Sequence, residues 1–524
     1  MSKFEESNFY KALQDFFINA DKKTFLQFLA EFYNRTEGII DKNNIQDDLI
    51  KDLRELYLEF NEKGIDENIV REKVNYFLEN SLKIKDIISK LTTNTNNIEN
   101  ITSQLETNTN EITQFVVTSD DIQSKIDSIP VLLKKKEIVI DKNLVLTKPI
   151  KLKDSIKLKG IDGVEITGNN IIPFLHSGGG LKNITIENLT FNGTNSFELE
   201  GIEVINIKNC KFKNINGVGL GWLKGCKYVN IINNVIQDCT NMGMKIEGTS
   251  YGESTVVNVK NNLVINSGDN GIAVRAMNGN IKLSNISGNT IINSGKAGIK
   301  LTIESASNVT STITDCVISN NIINGWGSLV HEDAISCNNY KTSYNLNNVS
   351  IMNNVISSMP ENEKQRGYIG VSRCKNVSVI GNNCRGSVLW NGIWGEILRE
   401  ATIIGNRIER SCQDSSYQYI SSCGGIGLIY TENSTISNNI IKNTGTINVN
   451  RPGIIVNKSR FNTIMGNRCF DDQDNKTQSR GIDETNNGGT SEWSQNNIFI
   501  GNICLDNIET SIYSSRSVNS NNLG

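Results

Sequence analysis

Down the C-terminal two-thirds of the chain, β-branched apolar runs are interrupted at regular intervals by a pair of small polar residues, usually Asn-Asn or Gly-Asn. Ile231–Val235 (IINNV), Ile286–Thr290 (ISGNT), Ile318–Ile322 (ISNNI), Ile351–Val355 (IMNNV) and Ile436–Ile440 (ISNNI) are instances. The second member of the pair falls at 234, 262, 289, 321, 354, 382, 406, 439, 467 and 502, with weaker copies at Asn188 and Asn209. Intervals of 24 to 35 residues mark an array of repeats. Each interval holds two or three short alternating segments punctuated by Gly, Asn or Asp, which predicts one coil of parallel β-strands per repeat. A second phrase follows about ten residues later, as in Gly271–Val274 (GIAV), Gly298–Leu301 (GIKL), Ala334–Cys337 (AISC), Gly392–Trp394 (GIW), Gly425–Leu428 (GIGL) and Gly453–Val456 (GIIV). Its alternation turns one set of side chains inward and the other to solvent. About twelve such coils, stacked at roughly 4.8 Å, predict an all-β parallel β-helix about 55 to 60 Å long. The Asn at each turn suits a left-handed backbone, and its amide can bond to the Asn above and below.

The first 130 residues have a different pattern. Residues 4–80 are dense in Phe, Tyr, Leu and Glu at helical spacing, for example Tyr10, Leu13, Phe16 and Phe17, which predicts amphipathic helices broken near Gly38 and Gly64. From Ile84 the spacing becomes heptad: Ile84, Leu91, Ile98, Leu105 and Ile112 at one core position, and Ile87, Asn94, Ile101, Asn108 and Phe115 at the other. Ile at both core positions disfavours a two-stranded coil, and the Asn layers fix register, so a homotrimer is expected. The predicted organisation is an α-helical head at 1–80, a trimeric coiled-coil stalk at 81–130, an entry region at 131–180 and the β-helix at 181–524. Charge changes sign at the same boundary, with −9 over residues 1–130 and +6 over the remainder.

Composition fits a long polar-surfaced β-rod: 43 Gly against 5 Pro, so the chain turns through Gly and Asn. Met1–Glu6 lacks the layout of a signal peptide and no run of 18 apolar residues occurs, so synthesis in a cytoplasm without membrane insertion is expected. All eleven cysteines lie in the repeat region without CxxC spacing, and read as small core residues in a reducing compartment. With His at 176 and 331 alone, a zinc site is not expected, and no cofactor is called for. The acidic run Asp471, Asp472 and Asp474 with Asp483 and Glu484 could bind a surface Ca²⁺, or serve as a solvated turn.

The heptad stalk ahead of a β-helix resembles phage tailspikes and the receptor-binding appendages of short-tailed phages. Phe32–Ile40 (FYNRTEGII) and Leu53–Phe60 (LRELYLEF) are similar to the opening of tail-fibre proteins from phages of Gram-positive hosts, and the Asn-Asn/Gly-Asn coils resemble the pectate-lyase-like superfamily. The resemblance implies a right-handed single-stranded parallel β-helix. It also implies a virion protein that docks to other tail or collar proteins through residues 1–80 and meets a host cell-wall glycopolymer, such as wall teichoic acid or capsule, through the β-helix. Nucleic acid is not an expected partner. A free-standing polysaccharide lyase, hydrolase or epimerase on the same fold is the alternative; an acidic helical head and a trimeric stalk favour the virion protein.

On a stack of coils, solvent-facing positions form ladders, so residues distant in sequence become neighbours. The coils from about 269 to 400 gather Arg275, Lys300, Tyr368, Arg373, Trp326, Trp390 and Trp394 as candidate substrate-binding residues. Basic groups pair with phosphate or carboxylate, and aromatic faces stack on sugar rings. The three tryptophans could equally cap the core. Cleavage of a glycosidic bond needs two carboxylates. Asp333 is the favoured acid, with Glu396 or Glu304 as partner, Glu332 as the adjacent alternative and His331 as a general acid or base. Glu332 and Asp333 are neighbours in sequence, so on an extended segment they should point to opposite faces. Ordinary solvated carboxylates are the competing account of all four acids.

Overall fold

The fold is that of a computed structural model. Described residues are 113–117, 122–129 and 136–523, apart from 162, 250–254, 305–309, 341–343, 360–364, 415–421, 486–493, 510–511 and 515–516. The predicted helical head and most of the heptad stalk lie outside the described residues. The chain divides into two units, Met1–Thr107 and Asn108–Gly524, and the described residues all belong to the second.

That unit is a parallel β-helix. Its coils form three parallel sheets of sixteen, fourteen and thirteen strands, in which every strand but those at the ends pairs with its counterpart one coil before and one coil after; a short antiparallel pair, Gly445–Thr446 with Val449–Asn450, stands apart. The first sheet contains segments such as Val204–Lys208, Tyr228–Ile232 and Ile313–Ser319; the second, Lys211–Ile215 and Val235–Cys239; the third, Ile272–Ala276, Ile299–Ile303 and Glu332–Asn339. Sixteen strands at about 4.8 Å give a stack of roughly 70 Å, longer than twelve coils would. The coils also begin earlier than expected. Thr113–Val117 pairs in parallel with Lys136–Ile140, which pairs with Ile156–Gly160, so Phe115 belongs to the first strand of the stack and not to a heptad. Strands at 136–140, 156–160 and 165–167 make the expected entry region part of the coils themselves.

Strict alternation produces an unbroken apolar column inside. On the first sheet Ile207, Ile231, Val259, Ile286, Ile318, Ile351, Val379, Ile403, Ile436 and Ile464 are consecutive register partners, all fully or almost fully buried. Each such side chain contributes about 1.5–3 kcal/mol by leaving water. In the early coils Phe174, Phe191, Phe197 and Phe212 fill the interior together, with ring centroids 4.8–5.8 Å apart.

The repeated polar pair sits where the first sheet turns into the second, and its two residues have different tasks. The first member (Asn188, Asn209, Asn233, Asn261, Gly288, Asn320, Asn353, Gly381, Gly405, Asn438, Gly466, Gly501) takes φ between 54° and 66°, which Gly and Asn tolerate best. The second member points into the stack. From Asn234 to Asn502 each of its side-chain amides donates to the side-chain oxygen of the corresponding Asn one coil on at 2.9–3.0 Å, and donates again to a backbone carbonyl one coil back. Asn188 and Asn209 carry only the left-handed residue; Leu189 and Cys210 stand at the ladder position.

Nine cysteines are free and buried, as expected. Cys412 and Cys423 are instead joined in a disulfide, which corrects the reading of all eleven as free core thiols. Among the described residues no helix is long and apolar enough to cross a membrane.

Candidate functional site: the outward face of the third sheet

Two columns run along the outward side of the third sheet, and their smaller members, such as Ala273, Thr302, Ser336 and Gly370, are covered by neighbouring side chains. One passes in register through Trp222, Lys245, Ala273, Lys300, Ser336, Gly370 and Trp394. Its neighbour passes through Lys224, Glu247, Arg275, Thr302, Asn338, Ser372 and Glu396. The alternation of strands such as Trp222–Lys224 and Lys300–Thr302 puts these charged and aromatic residues outside while Leu223 and Leu301 enter the core.

At the centre of the face is Arg366. Its Nε donates to Asp333 Oδ1 at 3.0 Å and its Nη2 donates to Asp333 Oδ2, so the carboxylate and guanidinium meet through two parallel bonds. Nη2 also lies 4.0 Å from Glu332 Oε1, which accepts from Ser336 Oγ at 2.9 Å, while Glu332 Oε2 is 3.6 Å from Lys300 Nζ. Burial opposes the Arg366 charge, but the paired Asp333 carboxylate outweighs it and raises the guanidinium pKa further. Adjacent carboxylates therefore converge on one cation, contrary to the expectation that they face opposite ways. The cause is an irregularity in register: Glu332 pairs with Gln365 but Asp333 pairs with Gly367. Asp333 is 2 % exposed and lies against Gly370, where an added Cβ would collide with Oδ2.

The same guanidinium stands 5.5 Å from the Trp390 ring centroid and 5.7 Å from that of Trp394, both half-buried at the surface. The Trp390 backbone N–H donates to the Arg366 carbonyl at 2.7 Å, and the Cys412 N–H donates to the Trp390 carbonyl at 2.7 Å, which ties the indole to the clamp and to the disulfide loop.

Other predicted residues fall elsewhere. Trp326 and Tyr368 are completely buried; the Trp326 indole donates to the Glu332 carbonyl at 2.9 Å and the Tyr368 hydroxyl to the Glu409 carbonyl at 2.8 Å. They are core residues and not sugar platforms, and burial raises the Tyr368 pKa well above its ordinary value. Glu304 is taken by Arg275 and accepts from Thr302 Oγ1 at 3.3 Å. Glu396 stands on the second column, in register with Ser372. His331 is exposed on the segment entering the Glu332–Asn339 strand. Arg373 has φ 51° and closes its strand by donating to the Asn339 carbonyl at 3.4 Å.

Two residues on this face escaped the sequence reading. Arg366 is invisible without the register slip that presents it to Asp333. Trp222 lies four coils before the coil of Asp333 and carries the ammonium groups of Lys224 and Lys245 at 3.4 and 3.5 Å from its ring centroid, while its Nε1 donates to Glu247 Oε2 at 3.2 Å. Burial, with Lys224 and Arg275 nearby, lowers the Lys245 pKa in spite of Glu247 at 3.1 Å.

The acidic run near 471 does not gather around a cation site. Asp471 Oδ2 accepts from the backbone N–H groups of Thr477 and Gln478, Asp472 pairs with Lys442 at 3.0 Å, Asp483 pairs with Arg480 at 3.1 Å, and Glu484 accepts from Asn497, Ser514 and Ser517. Among the described residues no group of three His, Cys, Asp or Glu side chains could hold a metal ion.

No family model matches this chain, and no curated protein matches it in sequence. Similar solved structures include the A-module of a mannuronan C-5 epimerase from Azotobacter vinelandii (13 % identity, TM-score 0.38, 76 % of this chain and 95 % of that one). Others are the catalytic unit of an α-1,3-glucanase from Streptomyces thermodiastaticus (14 %, 0.41, 78 % and 67 %) and a tailspike of E. coli bacteriophage HK620 (12 %, 0.39, 78 % and 75 %). At such scores no residue and no activity is carried over from them.

Proposed function

We propose that this chain is a receptor-binding spike of a phage virion, whose third-sheet face recognises an anionic glycopolymer of the host envelope. The observation that carries the reading is the Arg366 guanidinium, held by Asp333 beside the indoles of Trp390 and Trp394. A fixed cation next to aromatic faces suits a sugar bearing phosphate or carboxylate. Support for the virion setting comes from the sequence: heptads with Ile at both core positions favour a trimer, and the opening 1–80 segment suits attachment to other tail or collar proteins.

Recognition is favoured over cleavage. Asp333 has both oxygens on Arg366, and Glu332 is engaged by Lys300 and Ser336, so the two carboxylates orient cations before they offer protons. Glu396 and His331 are the remaining acid–base candidates. The test is to incubate the purified protein with host envelope polymers and size the products. Retention of protein on intact walls, and its loss on walls stripped of teichoic acid or capsule, supports the reading; equal binding to both overturns it. Soluble fragments would add cleavage to recognition.

A further inference from the structure

We propose that the third-sheet face is a two-ended site for a linear anionic glycan, with Trp222 and Trp394 as platforms six coil steps apart along one column, a distance of roughly 29 Å. This rests on the glycan-recognition reading above and assigns it a minimum ligand length and a second point of contact.

The two ends repeat one arrangement built from different residues. At the Trp394 end a cation (Arg366) stands by the ring and is held by a buried acid (Asp333). At the Trp222 end a cation (Lys245) lies on the ring and is held by a mostly buried acid (Glu247), and Lys224 adds a second ammonium. Register pairing places both indoles on one outward column, so they present themselves to the same extended ligand. Between them Ala273, Ser336 and Gly370 are small and buried, with Glu332, Asp333 and Arg366 lying over Ser336 and Gly370, while Lys245 and Lys300 add cations, so a spanning ligand would pass over a cationic floor. An anionic group arriving at the Trp222 end draws the flexible lysine heads to itself and uncovers the indole for the adjoining sugar. One ligand touching both ends gains the effective-concentration advantage of linked sites, which a fragment too short to span them lacks.

The experiment titrates the intact protein with polygalacturonate and with poly(glycerol phosphate), each fractionated into fragments shorter and longer than roughly 29 Å, with a neutral dextran as control. For at least one polyanion the long fragments should bind about tenfold tighter or more than the short ones. Trp222→Ala should reduce long-fragment affinity to the short-fragment level. The pair Lys224→Gln with Lys245→Gln, which keeps the indole and its strand, should do the same if loss of Trp222 disturbs folding. Equal affinity for long and short fragments, parental affinity in both Trp222-end variants, or binding of neither polyanion overturns the proposal. If Trp390→Ala with Trp394→Ala abolishes wall binding while the Trp222-end variants are silent, the recognition reading stands and the two-ended site falls; if none of these variants affects binding, both fall.

Discussion

Asn354 donates its side-chain amide to Asn382 Oδ1 at 2.9 Å, and its backbone N–H donates to the same oxygen at 3.0 Å. One side-chain carbonyl thus satisfies two donors of the preceding coil, and Asn354 does likewise for Asn321. Because Asn321, Asn354 and Asn382 are fully buried, a missing acceptor leaves both donors unpaired.

Asn354→Ala should therefore destabilise the β-helix by about 3 kcal/mol. The same change at Asn522, which is itself partly exposed, should cost less because water can reach the donors it leaves. Thermal unfolding followed by circular dichroism at the β-sheet band checks the difference.

Removing the acid from the central clamp should be costly. Asp333→Asn leaves the largely buried Arg366 without its counter-ion and is expected to destabilise by about 3 kcal/mol. Asp333→Asn combined with Arg366→Met should recover most of that loss, and a double-mutant cycle in denaturant reports the coupling.

Gly370→Ala tests the same carboxylate from below. A Cβ at this position would collide with Asp333 Oδ2 and Cγ, so the clamp must shift. Gly501→Ala meets no atom within 4 Å and bears only the strain of its φ of 61°. Wall binding should fall in the first variant and persist in the second, measured by co-sedimentation with host walls.

The free thiols give a pH signature. Burial pushes Cys239 and Cys316 up to about 11, and Cys210 and Cys226 up to about 12, from an ordinary 9.0. A raised folded-state pKa favours the neutral thiol, so this contribution is fully present below pH 9 and is lost as pH rises through about 11 to 12. At pH 8 a thiol reagent should leave the native protein almost unmodified, titrate nine groups after denaturation, and titrate eleven after reduction.

The coils were legible because a two-residue alternation, repeated at 24 to 35 residues, admits few other folds. The Asn ladder was also legible, but not the separation of tasks within each pair: a left-handed backbone and an inward amide are indistinguishable when both letters are Asn. At the site, Lys300, Trp390 and Trp394 could be assigned to one surface from the coil period alone. The Glu332–Asp333 convergence could not, since it depends on a slip of register that composition does not encode. Trp326 and Tyr368 misled because an aromatic side chain serves core or surface equally, and here each is drawn inward by a carbonyl within reach of its polar tip, that of Glu332 in the same coil and that of Glu409 two coils on.

From Asn234 to Asn502 each ladder Asn settles its turn through partners one coil above and one coil below it. A whole period, cut from one ladder Asn to the next, can therefore be deleted or duplicated with both seams rejoining like for like. Length is the adjustable property of this architecture, and a coil gained or lost between Trp222 and Trp394 would change their separation by about 4.8 Å.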